Sequence, residues 1–544
     1  MSGKKFLLVA LLFPAAFAPV SAGAAGVTVI THGFDSNATN DWVVAMAGEI
    51  PPYFQARNPG FTTNFTIYTV ILTTSGGSYY YQWQRSGNAP YNNPAGEIIV
   101  QLDWSQMAGG PTDIYDPFND DTSTTIVAGI AQFVLSQTNA IADLNGHALA
   151  EYPVHLIGHS RGGSLMNDLS RQLGTNGIWT DHLTTLDPHP LNNDGFDVPG
   201  FFPTDATASN TYSTVLFRDN YWQDIGTGLD FDGEPVAGAY NRQLTDLSGG
   251  YNAEGVLAPN HSNVHLWYWG TIDSNTPAAY NIGGDAATIN ASMRTNWWVP
   301  YEDEGLIAGF YYSLIGGGNR MSTDSPLGLP SDPAIVNGYN QWWNFGAGTS
   351  SNRTALASNS GAWPNLIQFN LIGTNTVTAG QTLNAGFYYQ YGGHSSNLTA
   401  QFYFGNDFNP FGSNSVPATQ FVLLNTGVNS VYYYAFSVAT TNVAPGTYSV
   451  YGKISDGTHS RYLDAPQPVE IIAQPPPVLG FTHVEGQPVI SISGAAGHKI
   501  VLQSSPDLRT WQPIYTNSNS SGLWFYPYTV PPGPAQEFYR AVVE

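Results

Sequence analysis

Cysteine is absent from all 544 residues. Its absence excludes disulfides, thiolate metal centres and a cysteine nucleophile. Lysine is nearly absent, confined to Lys4, Lys5, Lys453 and Lys499. Acidic residues outnumber basic ones by 39 to 16, for a formal charge of −23. So negative a surface repels nucleic acid and anionic membranes, and neither is expected as a partner. Charged residues of both signs make up only 10% of the chain. There is no H-E-x-x-H, phosphate loop or dinucleotide fingerprint. No apolar run is long enough to anchor the chain in a bilayer. The longest, Phe6 to Ala18, follows Lys4-Lys5 and precedes Val20-Ser21-Ala22, the layout of a signal peptide over residues 1–25. The expectation is a secreted or cell-surface protein, and export without disulfides points to a bacterial one.

What is present is apolar mass. Hydrophobic residues are 42% and aromatics 13%, enough for two or more cores. Val27 to Ile30, Phe65 to Leu72, Glu97 to Leu102, Leu183 to Leu186 and Thr214 to Phe217 read as strands. Thr122 to Leu144 has helical spacing at Ile126, Val127, Ile130, Phe133, Val134 and Ile141. This alternation predicts a mostly parallel sheet covered by helices on both faces, over residues 26–360. Residues 275–357, rich in Asn, Gly and Trp, read as the end of that domain or as a loop-rich cover. Alternating strands then predict an Ig-like β-sandwich over 361–473, a Pro-rich linker over 474–479, and a second small β-module over 480–544.

Residues 154–163 carry the chemistry. An apolar strand, Val154 to Ile157, meets Gly158-His159-Ser160-Arg161-Gly162, and a helical pattern follows through Leu165, Leu169 and Leu173. This is a G-x-S-x-G nucleophile elbow with its strand before and its helix after. A serine nucleophile needs a base and a group to orient that base. The acid is sought first at Asp187, behind the strand Leu183 to Leu186; Asp219, behind Val215 to Phe217, competes. Asn260-His261-Ser262-Asn263-Val264-His265 holds two bases. His261, placed in a loop after Pro259, is preferred to His265, which opens an aromatic helical run. His159, His182 and His189 are weaker, and His155 reads as a core histidine. The strand into Thr31-His32-Gly33-Phe34 suits an oxyanion turn, with Phe34 and Arg161 supplying backbone N–H groups and His32 a structural role. The acidic run Asp219, Asp224, Asp230, Asp232 and Glu234 offers oxygens to Ca²⁺, but its spacing fits no EF-hand loop. Turn carboxylates are the simpler reading there, as a plain loop is for Asn192-Asn193-Asp194-Gly195.

Taken in order, Val29 to Phe34, Val100 to Ser105 (with Asp103-Trp104), Val154 to Gly163, Leu183 to Pro188 and Asn260-His261 resemble the motifs of the lipase superfamily, specifically its pancreatic-lipase-like branch. The resemblance spans about residues 26–270. It implies an α/β-hydrolase fold and a Ser160–Asp187–His261 triad. The elbow differs in carrying Arg161-Gly162-Gly163 where Leu-Gly-Ala is usual. The resulting expectation is an α/β-hydrolase fold followed by two all-β modules. Its function would be hydrolysis of carboxylic esters through an acyl-enzyme, with no metal or other cofactor. Its partners would be an ester substrate and, through the β-modules, a cell surface or glycan. The rival expectation is a non-catalytic exported binding or scaffold protein.

Overall fold

The computed structural model describes residues 25–34, 42–59, 61, 64–87, 96–109, 122–193, 203–225, 232–253, 258–272, 280–282, 285–287, 293, 296–297, 309–316, 353–356, 363–409, 411, 415–494, 498–519, 522–528 and 537–543. Nearly all of the proposed signal peptide, Asp194, Gly195, Asp230 and most of 275–357 lie outside these residues.

The chain divides into two compact units. The first comprises residues 1–370, 386–435 and 449–468. Its elements run β1 (Val27–Thr31), α1 (Trp42–Arg57), β2 (Thr66–Ser75), β3 (Ser78–Gly87), β4 (Ile98–Asp103), α2 (Thr124–Ser136), β5 (Val154–His159), α3 (Arg161–Thr175), β6 (Thr180–Leu186), β7 (Thr211–Tyr212), β8 (Val215–Trp222), β9 (Tyr240–Gln243) and α4 (Pro259–Gly270). Eight strands form one sheet in the order β3-β2-β4-β1-β5-β6-β8-β9. β1 lies parallel between β4 and β5, with Thr31 level with Leu102 and Gly158. β1, β4, β5 and β6 are buried along their whole length, with apolar side chains such as Val27, Val100 and Leu156 in the first three, whereas β6 buries mostly polar ones, among them His182 and Thr184. In one core cluster, residues of these strands pack with Val127, Val134, Leu165 and Leu169 of α2 and α3. In another, Trp42 and Met46 of α1 join Val264, Leu266 and Trp267 of α4.

The expected fold class is corrected. Strands make up 45% of the structure and helix only 19%, and the large sheet is mixed. An α/β-hydrolase layout with helices on both faces is not what the described residues form. The local reasons are visible. β2 returns directly as the antiparallel β3 through Gly76-Gly77, both at positive φ (58° and 74°), so no helix fits between them. The described residues between β6 and β8, and between β8 and β9, hold no α-helix. The chain carries 58 Gly and 37 Pro, the two residues that disfavour helix most.

Further strands of the first unit are antiparallel: Thr399–Gly405 pairs with Ser415–Val422, and Ser449–Ser455 pairs with Thr399–Gly405 and Ser460–Asp464. The second unit comprises 371–385, 436–448 and 469–544. It holds two three-stranded antiparallel sheets around Ile490, Ile492, Ile500, Leu502 and Trp524. Among the described residues, no helix is long and apolar enough to cross a membrane.

Two buried carboxyls make stability depend on pH. Glu97 accepts the Gly26 N–H and the Thr28 hydroxyl, each at 2.6 Å. Burial pushes it up to about 8. Asp464, which accepts the Ala25 N–H, is pushed up to about 8 by the same cause. Above about pH 4.5 the folded state therefore holds protons that the unfolded chain releases. Their contribution is full below the unfolded pKa and is lost as pH rises through about 8. Between pH 5 and 8.5, wild type should lose on the order of 3 kcal/mol more unfolding free energy than Glu97→Gln, which cannot ionise. Urea titrations giving equal slopes for the two proteins would refute this.

Candidate active site

Ser160 follows β5 and stands at the N-cap position of α3 at φ 57°, ψ −130°. A non-glycine residue there is strained by roughly 1–3 kcal/mol, and surrounding bonds must hold it. They do so through the backbone. Its N–H donates to Leu186 O (2.9 Å), and its carbonyl accepts from Gly163 (2.9 Å) and His189 (3.1 Å). The elbow glycines are close-approach sites. A Cβ on Gly158 would strike the Gly162 carbonyl, and one on Gly162 would strike the His32 carbonyl. The His32-Gly33 turn lies against Ser160: a Cβ on Gly33 would stand 2.7 Å from Ser160 Cβ and 3.1 Å from its Oγ. Ser160 itself is half-buried.

Asp187 follows β6 immediately, at φ 46° and fully buried. Its Oδ2 accepts His261 Nδ1–H at 2.7 Å. The Gln223 backbone N–H (3.1 Å) and side-chain amide (3.2 Å) donate to the same carboxylate. Burial pushes the Asp187 carboxyl up to about 7, against the pull of His189 and the Gln223 donors. Burial, with the nearby His189, holds His261 well below the usual histidine range. The pair therefore rests as carboxylate and neutral imidazole above neutral pH, with Nε2 the nitrogen left to act as a base.

His261 lies in the first turn of α4, not in a loop; Pro259 opens that helix, where its missing N–H costs nothing. His159 Nε2–H donates to the His261 carbonyl at 2.9 Å. His265, one turn further on, stacks on Trp42 at 4.5 Å and meets Tyr251 edge-on. It packs among aromatic rings, while the Asp187 carboxylate is bonded to His261. Asp219 also stands apart. It lies within β8, not behind it, and accepts from His182 (2.8 Å), Thr184 (2.6 Å) and Tyr221 (2.9 Å). His155 bonds Thr184 (2.9 Å) and stacks on His182 at 3.9 Å. His32 donates from Nδ1 to Gly33 O (2.9 Å), which fixes the oxyanion turn.

Sequence reasoning missed Gln223. It follows β8 beside β6, so only the strand order reveals it as a partner of Asp187. Sequence also missed the Arg161 side chain, which is fully buried and ion-paired to Asp205 at 2.7 Å. Among the described residues, one group of metal-type donors converges: Asp187, His189 and His261, all within 4.8 Å of one another. Asp219, Asp224, Asp232 and Glu234 form no such group.

No protein-family model matches the chain. No curated protein matches it either. Among solved structures, the C-terminal domain of wzt aligns at 9% identity over 21% of this chain and 76% of its own, with a TM-score of 0.16. The human OSCAR ligand-binding domain aligns at 10% identity over 30% and 80%, with a TM-score of 0.13.

Proposed function

We propose that the chain is a serine hydrolase of carboxylic esters. The observation that carries this reading is the 2.7 Å bond from His261 Nδ1 to Asp187, in a chain that also holds Ser160 at positive φ between β5 and α3. His261 Nε2 takes the Ser160 proton as Oγ attacks the ester carbonyl. The negative oxygen of the tetrahedral intermediate is held by the Phe34 and Arg161 amides. Arg161 opens α3, where the amide has no intrahelical acceptor and the helix dipole favours negative charge. His261 returns the proton to the departing alcohol, leaving an acyl-Ser160. A water, deprotonated by the same nitrogen, then releases the acid.

The test is labelling of the purified chain with a fluorophosphonate, which needs an activated serine. Wild type and His265→Ala should label at Ser160, whereas Ser160→Ala and His261→Ala should not. Folded wild type that stays unlabelled from pH 6 to 9 would overturn the reading.

A further inference from the structure

Arg161 enters the proposed chemistry only through its amide, yet its side chain is a fully buried charged group. A buried guanidinium is costly, and an apolar side chain of its size fills such space at less cost. Every nitrogen of the fork donates. Nε donates to Asp205 Oδ2 (2.7 Å) and Nη2 to Asp205 Oδ1 (2.9 Å). Nη1 donates to Ala108 O (2.8 Å), and Nη2 also to Thr122 O (3.0 Å). The guanidinium carbon sits 5.0 Å over the Trp104 ring.

Those contacts lead to the other oxyanion residue. Trp104 donates its indole N–H to His32 O (3.1 Å) and its backbone N–H to His32 Nε2 (3.2 Å). Both bonds fix the chain two residues before Phe34. Gly109, next to Ala108, supports the Phe34 ring: a Cβ there would stand 2.9 Å from Phe34 Cδ2. Asp205 meanwhile accepts the Leu191 N–H at 3.0 Å, which ties in the segment behind Asp187. One side chain thus links its own amide to the two supports of the Phe34 amide.

We propose that the Arg161 guanidinium, paired with Asp205, is a positioning residue that sets the Phe34 amide against the Arg161 amide. This rests on the serine-hydrolase reading. Two amides must converge on one oxygen, and small displacements of such donors cost rate without costing substrate binding. A bidentate, stacked arginine restricts that separation in a way a single-point lysine cannot.

The experiment compares full-length wild type, Arg161→Met, Arg161→Lys and Asp205→Asn. It measures kcat and KM on a soluble ester, the pH–rate profile, and the folded fraction by circular dichroism. Folded Arg161→Met should lose roughly 10- to 100-fold in kcat, with KM within about twofold and the pH limb unmoved. Lysine should recover part of the loss, and Asp205→Asn should move kcat in the same direction as methionine. Folded Arg161→Met or Asp205→Asn with kcat within about twofold of wild type overturns the proposal. So does a loss that only tracks the folded fraction, or failure of both variants to fold, since either assigns the pair to stability. Wild type that does not label at Ser160 is a separate failure, because it removes the hydrolase reading before any variant is compared.

Discussion

Ser160→Ala is expected to lower ester turnover by about 10⁶-fold in kcat while leaving the protein folded. The size follows from the chemistry: without Oγ no acyl-enzyme forms, and the oxyanion amides alone give only a residual rate over water. The intact fold follows from the local structure. Ser160 holds its neighbours through its backbone N–H and carbonyl, which alanine keeps. The alanine Cβ also occupies the position that the serine Cβ already fills beside Gly33. KM should change little, because the hydroxyl acts mainly in the transition state. Steady-state assay of a chromogenic ester, with circular dichroism as the folding control, measures both. Folded Ser160→Ala retaining a tenth of wild-type kcat would remove Ser160 from the chemistry.

Asp187→Asn should cost about 10⁴-fold in kcat, because an amide facing Nδ1 favours the wrong imidazole tautomer. Asp219→Asn should leave the kcat of folded protein within a few-fold. It should instead destabilise the fold by about 1–3 kcal/mol, since three buried donors converge on that carboxylate and an amide cannot accept from all of them. Burial has pushed Asp187 up to about 7. A proton on the Asp187–His261 pair disables the base, so wild-type activity should rise with pH from 6 to 8. Kinetics on both variants, with urea unfolding of each, separates the two effects. The opposite pattern would transfer the acid to Asp219.

The local geometry of the candidate site was more legible in the sequence than the fold. A nucleophile elbow is specified by residues adjacent in the chain: Gly158 and Gly162 report backbone contact, and a serine between strand and helix reports the turn. The strand behind Asp187 was legible for the same reason, since Leu183 to Leu186 is a short apolar run ended by Asp-Pro. Asp219 was placed second but could not be dismissed by local pattern, because Arg218-Asp219-Asn220 looks like a strand end. In the structure β8 runs on to Trp222, and those polar side chains are paired in the interior. α1 was illegible because Pro51-Pro52 sits inside it. The Tyr-rich β3 gave no alternating signal, because most of its side chains are exposed. Arg161 reads as a surface residue until Asp205, some forty positions away in the chain, is brought to it.

The crowding at Gly158 and Gly162 also bears on how this protein can be altered in the laboratory. Each α-carbon faces a carbonyl at a separation that admits hydrogen but no methyl, so a saturation library across 158–162 should return glycine at both ends whatever is selected. Diversity is better spent elsewhere, for example on β3, where Tyr79 and Tyr80 are 41% and 52% open to solvent.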